Sequence, residues 1–219
     1  MLQIQTVAPA TFDLLRRLQN EEILSSTRLV GGTSLALQIG HRTSVDLDFF
    51  SCEEMDIQGV QELLFDKYDF TPGVITGKSI LGVAEGVKLD IIYHPFKWID
   101  DIVPGVEGIR LASTKEIAAM ILHAIINSGK RPKDFLDLAF LSKYYSYDEM
   151  VGFLLEKYPR YDPMMANRAV NYFEDVDKQE IPEIQMFGYK LNWGRVEKRL
   201  LQITKNPDKA FDADFLLNQ

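Results

Sequence analysis

The chain has 219 residues, 46% of them hydrophobic, and a net charge of −8, enough for one generous domain or two small ones and against a protein that coats nucleic acid non-specifically. A lone cysteine, Cys52, excludes an internal disulfide and a multi-cysteine zinc site, and His41, His94 and His123 offer little for a histidine-built one. No apolar run approaches a bilayer span and the N-terminus lacks signal-peptide order, so the expectation is a cytoplasmic chain with no membrane partner.

Phe12, Leu14, Leu15, Leu18, Ile23 and Leu24 form a helical apolar stripe that Pro9 can open. Arg28 to Val30 reads as a short strand ending at Gly31-Gly32. Thr33 to Ile39 reads as a helix stopped by Gly40. Ser44 to Phe50 reads as a second strand, with Val45, Leu47 and Phe49 on one face and Asp46, Asp48 and Phe50 on the other. A helix over 56–67 follows, then strands near 70–77, 79–84 and 87–93, punctuated by Gly77 and by Glu85-Gly86.

From His94 to Ala112, Pro95, Pro104, Gly105 and Gly108 mark turns, and this stretch is the expected domain junction. Beyond it the pattern is helical, near 113–127, 132–144, 147–158, 162–176 and 193–204. Ser113-Thr114-Lys115-Glu116 has capping-box spacing. An α/β part at 1–105 followed by a helical part at 106–219 predicts an α+β fold.

Chemistry concentrates at the glycine turn and the acids behind it. Gly31 and Gly32 let the backbone approach a phosphate, and Thr33 and Ser34 add hydroxyl donors at a helix N-terminus; alone, the same residues are an ordinary capped turn. Asp46 and Asp48 can converge on a hard cation such as Mg²⁺, where a solvated strand edge is the plainer reading of either acid alone. Asp90, isolated in Val87-Lys88-Leu89-Asp90-Ile91-Ile92-Tyr93, would be costly as a free charge and can complete a three-carboxylate cluster if its strand lies beside the second. Arg42 can pair with these acids or contact phosphate. The turn lacks the Gly-Lys-Ser/Thr ending of a P-loop, and an EF-hand from Asp46 would need glycine at Ser51 and glutamate at Ile57.

Val30-Gly31-Gly32 followed by Asp46-Leu47-Asp48-Phe49 resembles the signature of the DNA polymerase beta-like nucleotidyltransferase superfamily. More narrowly, Gly31-Gly32-Thr33-Ser34-Leu35-Ala36-Leu37 with the run Gly40 to Phe50 is similar to the AbiEii/AbiGii toxin family, most strongly over 28–51 and more weakly to about residue 142. That resemblance implies a nucleotidyltransferase-like mixed β-sheet with flanking helices and a helical C-terminal region. It implies transfer of NMP from an NTP, with Mg²⁺ or Mn²⁺, to an acceptor such as a tRNA 3′ end, in a toxin neutralised by a cognate antitoxin. By position Gly32, Thr33 and Ser34 would touch the triphosphate, and Asp46, Asp48 and Asp90 would bind metal, Asp90 also being a base for the acceptor hydroxyl.

Lys133-Asp134-Phe135-Leu136-Asp137 matches a later family motif, so Lys133, Asp134 and Asp137 join the catalytic candidates; without the resemblance they read as a charged helix surface. The chain departs from the family at Ile121, where a lysine is usual, and Lys115, Lys130 or Arg131 is the candidate substitute. The rival functions are a small-molecule nucleotidyltransferase of the antibiotic-modifying type and a catalytically silent nucleotide-binding regulator. Tyr144, Tyr145 and Tyr147 can stack bases or pack between helices, and the latter is the commoner use.

Overall fold

A computed structural model describes residues 2–104, 108–188 and 190–212. Two units divide the chain, Met1–Ser113 and Thr114–Gln219. The predicted boundary between residues 105 and 106, and the turn expected at Gly105, lie outside the described residues.

The first unit is built on one mixed sheet. Its strands are β1 (Arg28–Leu29), β2 (Leu47–Ser51), β3 (Phe70–Thr76), β4 (Ser79–Ala84), β5 (Val87–Tyr93), β6 (Val103–Pro104) and β7 (Arg110–Leu111), in the spatial order β3-β4-β5-β2-β1-β7-β6. The β3-β4-β5 meander is antiparallel, β2 runs parallel to β5, β1 is antiparallel to β2, and β7 is parallel to β1. Helices α1 (Pro9–Asn20), α2 (Gly31–Ile39) and α3 (Ile57–Lys67) complete the unit. Leu14, Leu15 and Leu18 of α1 and Val60 and Leu64 of α3 are fully buried in one core with Leu29, Leu47, Phe49, Ile80, Leu89 and Ile91 of the sheet. Burying each such side chain contributes roughly 1.5–3 kcal/mol.

Three local devices hold the sheet. Glu85 and Gly86 both have positive φ (50° and 79°), the two-residue turn that matches strand twist between β4 and β5. Arg17 of α1 clamps Glu85 through both carboxylate oxygens, at 2.8 and 2.5 Å, and holds that carboxyl below its usual range. Arg110 of β7 donates to the carbonyls of Gln19, Leu24 and Thr27, stitching the end of α1 to β1; burial depresses its pKa.

Two expectations shift. The second strand begins at Leu47 rather than Ser44, because the Ser44 N–H donates to the Thr6 carbonyl and its segment bridges Val7. Val45, expected to share a face with Leu47 and Phe49, is 58% exposed where those two are fully buried. The turn-rich stretch after His94 also returns β6 and β7 to the sheet, strands too short to carry a period.

The second unit is helical: α4 (Thr114–Asn127), α5 (Pro132–Leu141), α6 (Tyr147–Lys157), α7 (Pro163–Val170) and α8 (Trp193–Lys205). A capping box opens α6, Ser146 accepting from the Glu149 N–H and Glu149 from the Ser146 N–H. α7 stops at Val170, short of the predicted 176. Glu116, read from its spacing as a capping-box acid, pairs with Lys157 at 2.5 Å, and both side chains are buried. Tyr158 stands beside this pair; burial, then the Glu116 charge, pushes its hydroxyl pKa up.

Candidate active site

The alternation of β2 does the first sorting. Leu47, Phe49 and Ser51 point into the core, so Asp48 and Phe50 stand half-buried on the other face. In the same way Leu89 and Ile91 of β5 are buried, leaving Lys88, Asp90 and Ile92 opposite. The parallel register pairs Asp48 directly with Asp90. Two carboxylates thus come side by side on one face of adjacent strands, the condition on which the sequence reading of Asp90 depended.

Beside Asp90 sits a cation. The Lys88 ammonium lies 2.9 Å from Asp90 Oδ2. Burial acts to lower its pKa, but the charges of Asp90, then Asp48, then Asp46 outweigh this and raise it. One ammonium therefore feels all three acids. Asp46 itself lies just before β2, where the Thr33 hydroxyl donates to its carbonyl oxygen and is hydrogen-bonded with Ser44 Oγ at 2.8 Å.

The glycine turn abuts this cluster. Gly31 has φ +65°, and a Cβ there would meet Asp48 Oδ2 at 2.7 Å, so a side chain is excluded twice over, by conformation and by contact. The turn begins α2, and just before it the Val30 N–H donates to the Asp48 carbonyl at 2.9 Å, which ties the start of the helix to the acid-bearing strand. A Cβ at Gly32 would overlap the Arg42 guanidinium, which is buried and donates to the Thr43 carbonyl at 3.0 Å. Thr33 and Ser34, expected as phosphate donors, are both buried, and Thr33 is engaged with Asp46. In this arrangement the Thr33 hydroxyl braces the turn, and the Ser34 hydroxyl accepts from the Gln38 side-chain amide at 3.2 Å within α2.

A divalent ion requires oxygen ligands and relief of carboxylate repulsion. Among the described residues, no three acid, imidazole or thiolate groups are gathered closely enough to chelate an ion as they stand. The expected closed triad is thus an in-register pair, with Asp46 near it and Lys88 supplying the positive charge. The pair still fits a hard cation. Asp90 Oδ1 is buried with no hydrogen-bond partner, a costly state for an acceptor unless something binds there. Lys88 is the residue that sequence reasoning passed over. Its signal was available: two positions before Asp90, it had to share that acid's face.

The remaining candidates lie in the second unit. Lys133 and Asp134 are half-buried on α5, and Asp137 is buried at 2% exposure, which corrects the reading of this run as a solvated charged surface. Ile121 is a core residue of α4. Tyr147 is buried and Tyr145 packs edge-on against Phe153 at 5.1 Å, so only Tyr144 of the three tyrosines is exposed. His123 stacks on Tyr158 at 4.3 Å.

Comparison with known proteins finds a matching family model, a curated relative and a solved structure of slight likeness. Residues 13–75, which span α1 through β2 and α3, match the family model described as "Nucleotidyl transferase AbiEii toxin, Type IV TA system". The chain is 27% identical over 191 residues to "Uncharacterized protein aq_aa25" of Aquifex aeolicus (strain VF5), covering 85% of this chain and 90% of that one. The crystal structure of the Megavirus polyadenylate synthase overlays with a TM-score of 0.37 at 17% identity, over 68% of this chain and 32% of that protein, a likeness too slight to argue from. Among the described residues, no helix is long and apolar enough to cross a membrane. The family match lies wholly within the first unit and covers less than a third of the chain.

Proposed function

We propose that this chain transfers the nucleotidyl group of a nucleoside triphosphate to a hydroxyl of RNA, the 3′ end of tRNA being the favoured acceptor, as the toxin of a toxin–antitoxin pair. The observation that carries the chemistry is the in-register pair Asp48–Asp90 beside the glycine turn. The toxin role and an antitoxin partner rest on the family description, and RNA as acceptor rests on the sequence resemblance.

Asp46, Asp48 and Asp90 would hold a magnesium ion, whose charge offsets that of the triphosphate and of the leaving pyrophosphate. The chain's own groups do the rest. The first-turn N–H groups of α2, brought close by Gly31 and Gly32, receive phosphate oxygens at the positive end of the helix dipole. Asp90 Oδ1 accepts the proton of the acceptor hydroxyl. The hydroxyl oxygen then bonds to the α-phosphorus as the bond to the β-phosphate bridge breaks and pyrophosphate leaves. Lys88, more than half exposed, swings from Asp90 to the phosphates as the site fills. Lys133, Asp134 and Asp137 of the second unit are proposed participants on the resemblance alone.

The test is incubation with α-labelled NTPs, Mg²⁺ and total RNA. Label in RNA that disappears in Asp48→Asn and Asp90→Asn supports the reading. Label on small molecules moves the acceptor to that class. Nucleotide binding without any transfer would make the chain a silent regulator.

A further inference from the structure

A row of aromatic rings continues the acid face toward one end of the sheet. Phe50 stands two positions after Asp48 on β2, hence on the same face, about 7 Å along the strand. Its ring centroid lies 5.2 Å from that of His94, and His94 lies 4.8 Å from Phe96. The backbone fixes this row. The His94 N–H donates to the Ser51 carbonyl at 2.8 Å, extending the β2–β5 ladder by one residue. The Phe96 N–H then turns back to the His94 carbonyl at 2.7 Å around Pro95, whose ring sets φ, so Phe96 is presented on a tight three-residue turn.

Phe96 is 36% exposed, and Phe50 and His94 are half-buried. Beside them, Arg28, the register partner of Phe50, lies 4.4 Å over the Trp98 ring and donates to the Asp100 carbonyl at 2.7 Å. An aromatic row whose rings are tilted 38° and 46° to one another, with a held guanidinium alongside, suits a planar heterocycle attached to a phosphate, because stacking needs only a π-face and the cation meets the charge.

We propose that Phe50, His94 and Phe96 form a stacking subsite for a nucleobase next to the acid pair, with Arg28 serving its phosphate. The proposal rests on the transfer reading, since it places the base relative to Asp48. Two sources share the chemistry, the base of the incoming triphosphate and the terminal base of the acceptor.

The probes are 2-aminopurine riboside triphosphate and a short oligoribonucleotide ending in 2-aminopurine, each titrated into the full chain with Mg²⁺. The readout is fluorescence quenching on binding, which does not require turnover, so lack of transfer and lack of stacking are separate results. Quenching by the triphosphate assigns the subsite to the incoming base, and quenching by the oligonucleotide assigns it to the acceptor. In either case Phe96→Ala weakens binding about tenfold and removes most of the quenching, while Phe96→Tyr retains both. Phe96 is 36% exposed and packs on His94, so the melting temperature of each variant is measured alongside to separate lost stacking from lost folding. Absence of quenching with both probes, or quenching that Phe96→Ala leaves intact, overturns the subsite.

Discussion

Two lysine–carboxylate pairs, one in each unit, show how burial decides what the same chemistry does. Lys157 and Glu116 meet at 2.5 Å with side chains 0% and 1% exposed. Lys88 and Asp90 meet at 2.9 Å, but the lysine is 55% exposed and the acid 17%. In the first pair both charges have lost water, and each is tolerable only because the other is present. In the second, water reaches the ammonium, so the cation is exchangeable while the carboxylate is confined. The buried pair fastens α4 to α6; the open one leaves its cation exchangeable at the proposed site.

The largest effect expected from this contrast is in the second unit. Glu116→Gln or Lys157→Met alone should destabilise by about 3–5 kcal/mol, each stranding a buried charge. Replacing both with apolar residues of similar volume should recover most of that loss. Chemical denaturation of the two single variants and the double variant reads this directly, and additive losses would break the comparison.

Gly31→Ala should be next. It forces an L side chain into the left-handed region, at about 1–2 kcal/mol, and pushes against Asp48 Oδ2. Denaturant midpoints should fall, and transfer should fall further than stability alone explains.

A pH effect follows from His123. Burial, then the nearby Lys157 charge, holds its pKa below the ordinary 6.5. The neutral ring is thus the folded form. Its contribution is complete above the unfolded pKa and is lost as pH falls through 6.5 toward the depressed folded value, at about 1.4 kcal/mol per unit of separation. Melting temperatures between pH 7 and 5 should drop less in His123→Phe than in the parent chain.

The smallest stability effect belongs to Lys88→Met. An exposed ion pair is worth about 0–1 kcal/mol, so the fold should scarcely notice.

The facing of each acid was legible in the sequence because strand alternation is a strict period of two: Leu47 and Phe49 buried oblige Asp48 to face away, and Leu89 and Ile91 oblige Asp90 to do so. That β2 and β5 would be neighbours was not legible, since pairing of non-consecutive strands is a long-range choice. β6 and β7, two residues each, are too short to carry a pattern, and β7 is held in place by the three carbonyls that Arg110 binds. Thr33 has the identity of a phosphate donor, and only its position shows the hydroxyl turned to Asp46. Asp137 looks like a surface acid by residue type, and its burial reflects the helices packed around α5. The Phe50–His94–Phe96 row escaped notice because it depends on a turn around Pro95 that brings a loop ring beside a strand ring.

The most direct test of the central claim, that Asp48 and Asp90 form a cation site now balanced by Lys88, is a Mn²⁺ titration followed by electron paramagnetic resonance in the presence of NTP. The account predicts Mn²⁺ bound by the parent chain, at least tenfold weaker binding by Asp48→Asn and by Asp90→Asn, and tighter binding by Lys88→Met. Equal binding by the parent and both aspartate variants would contradict it.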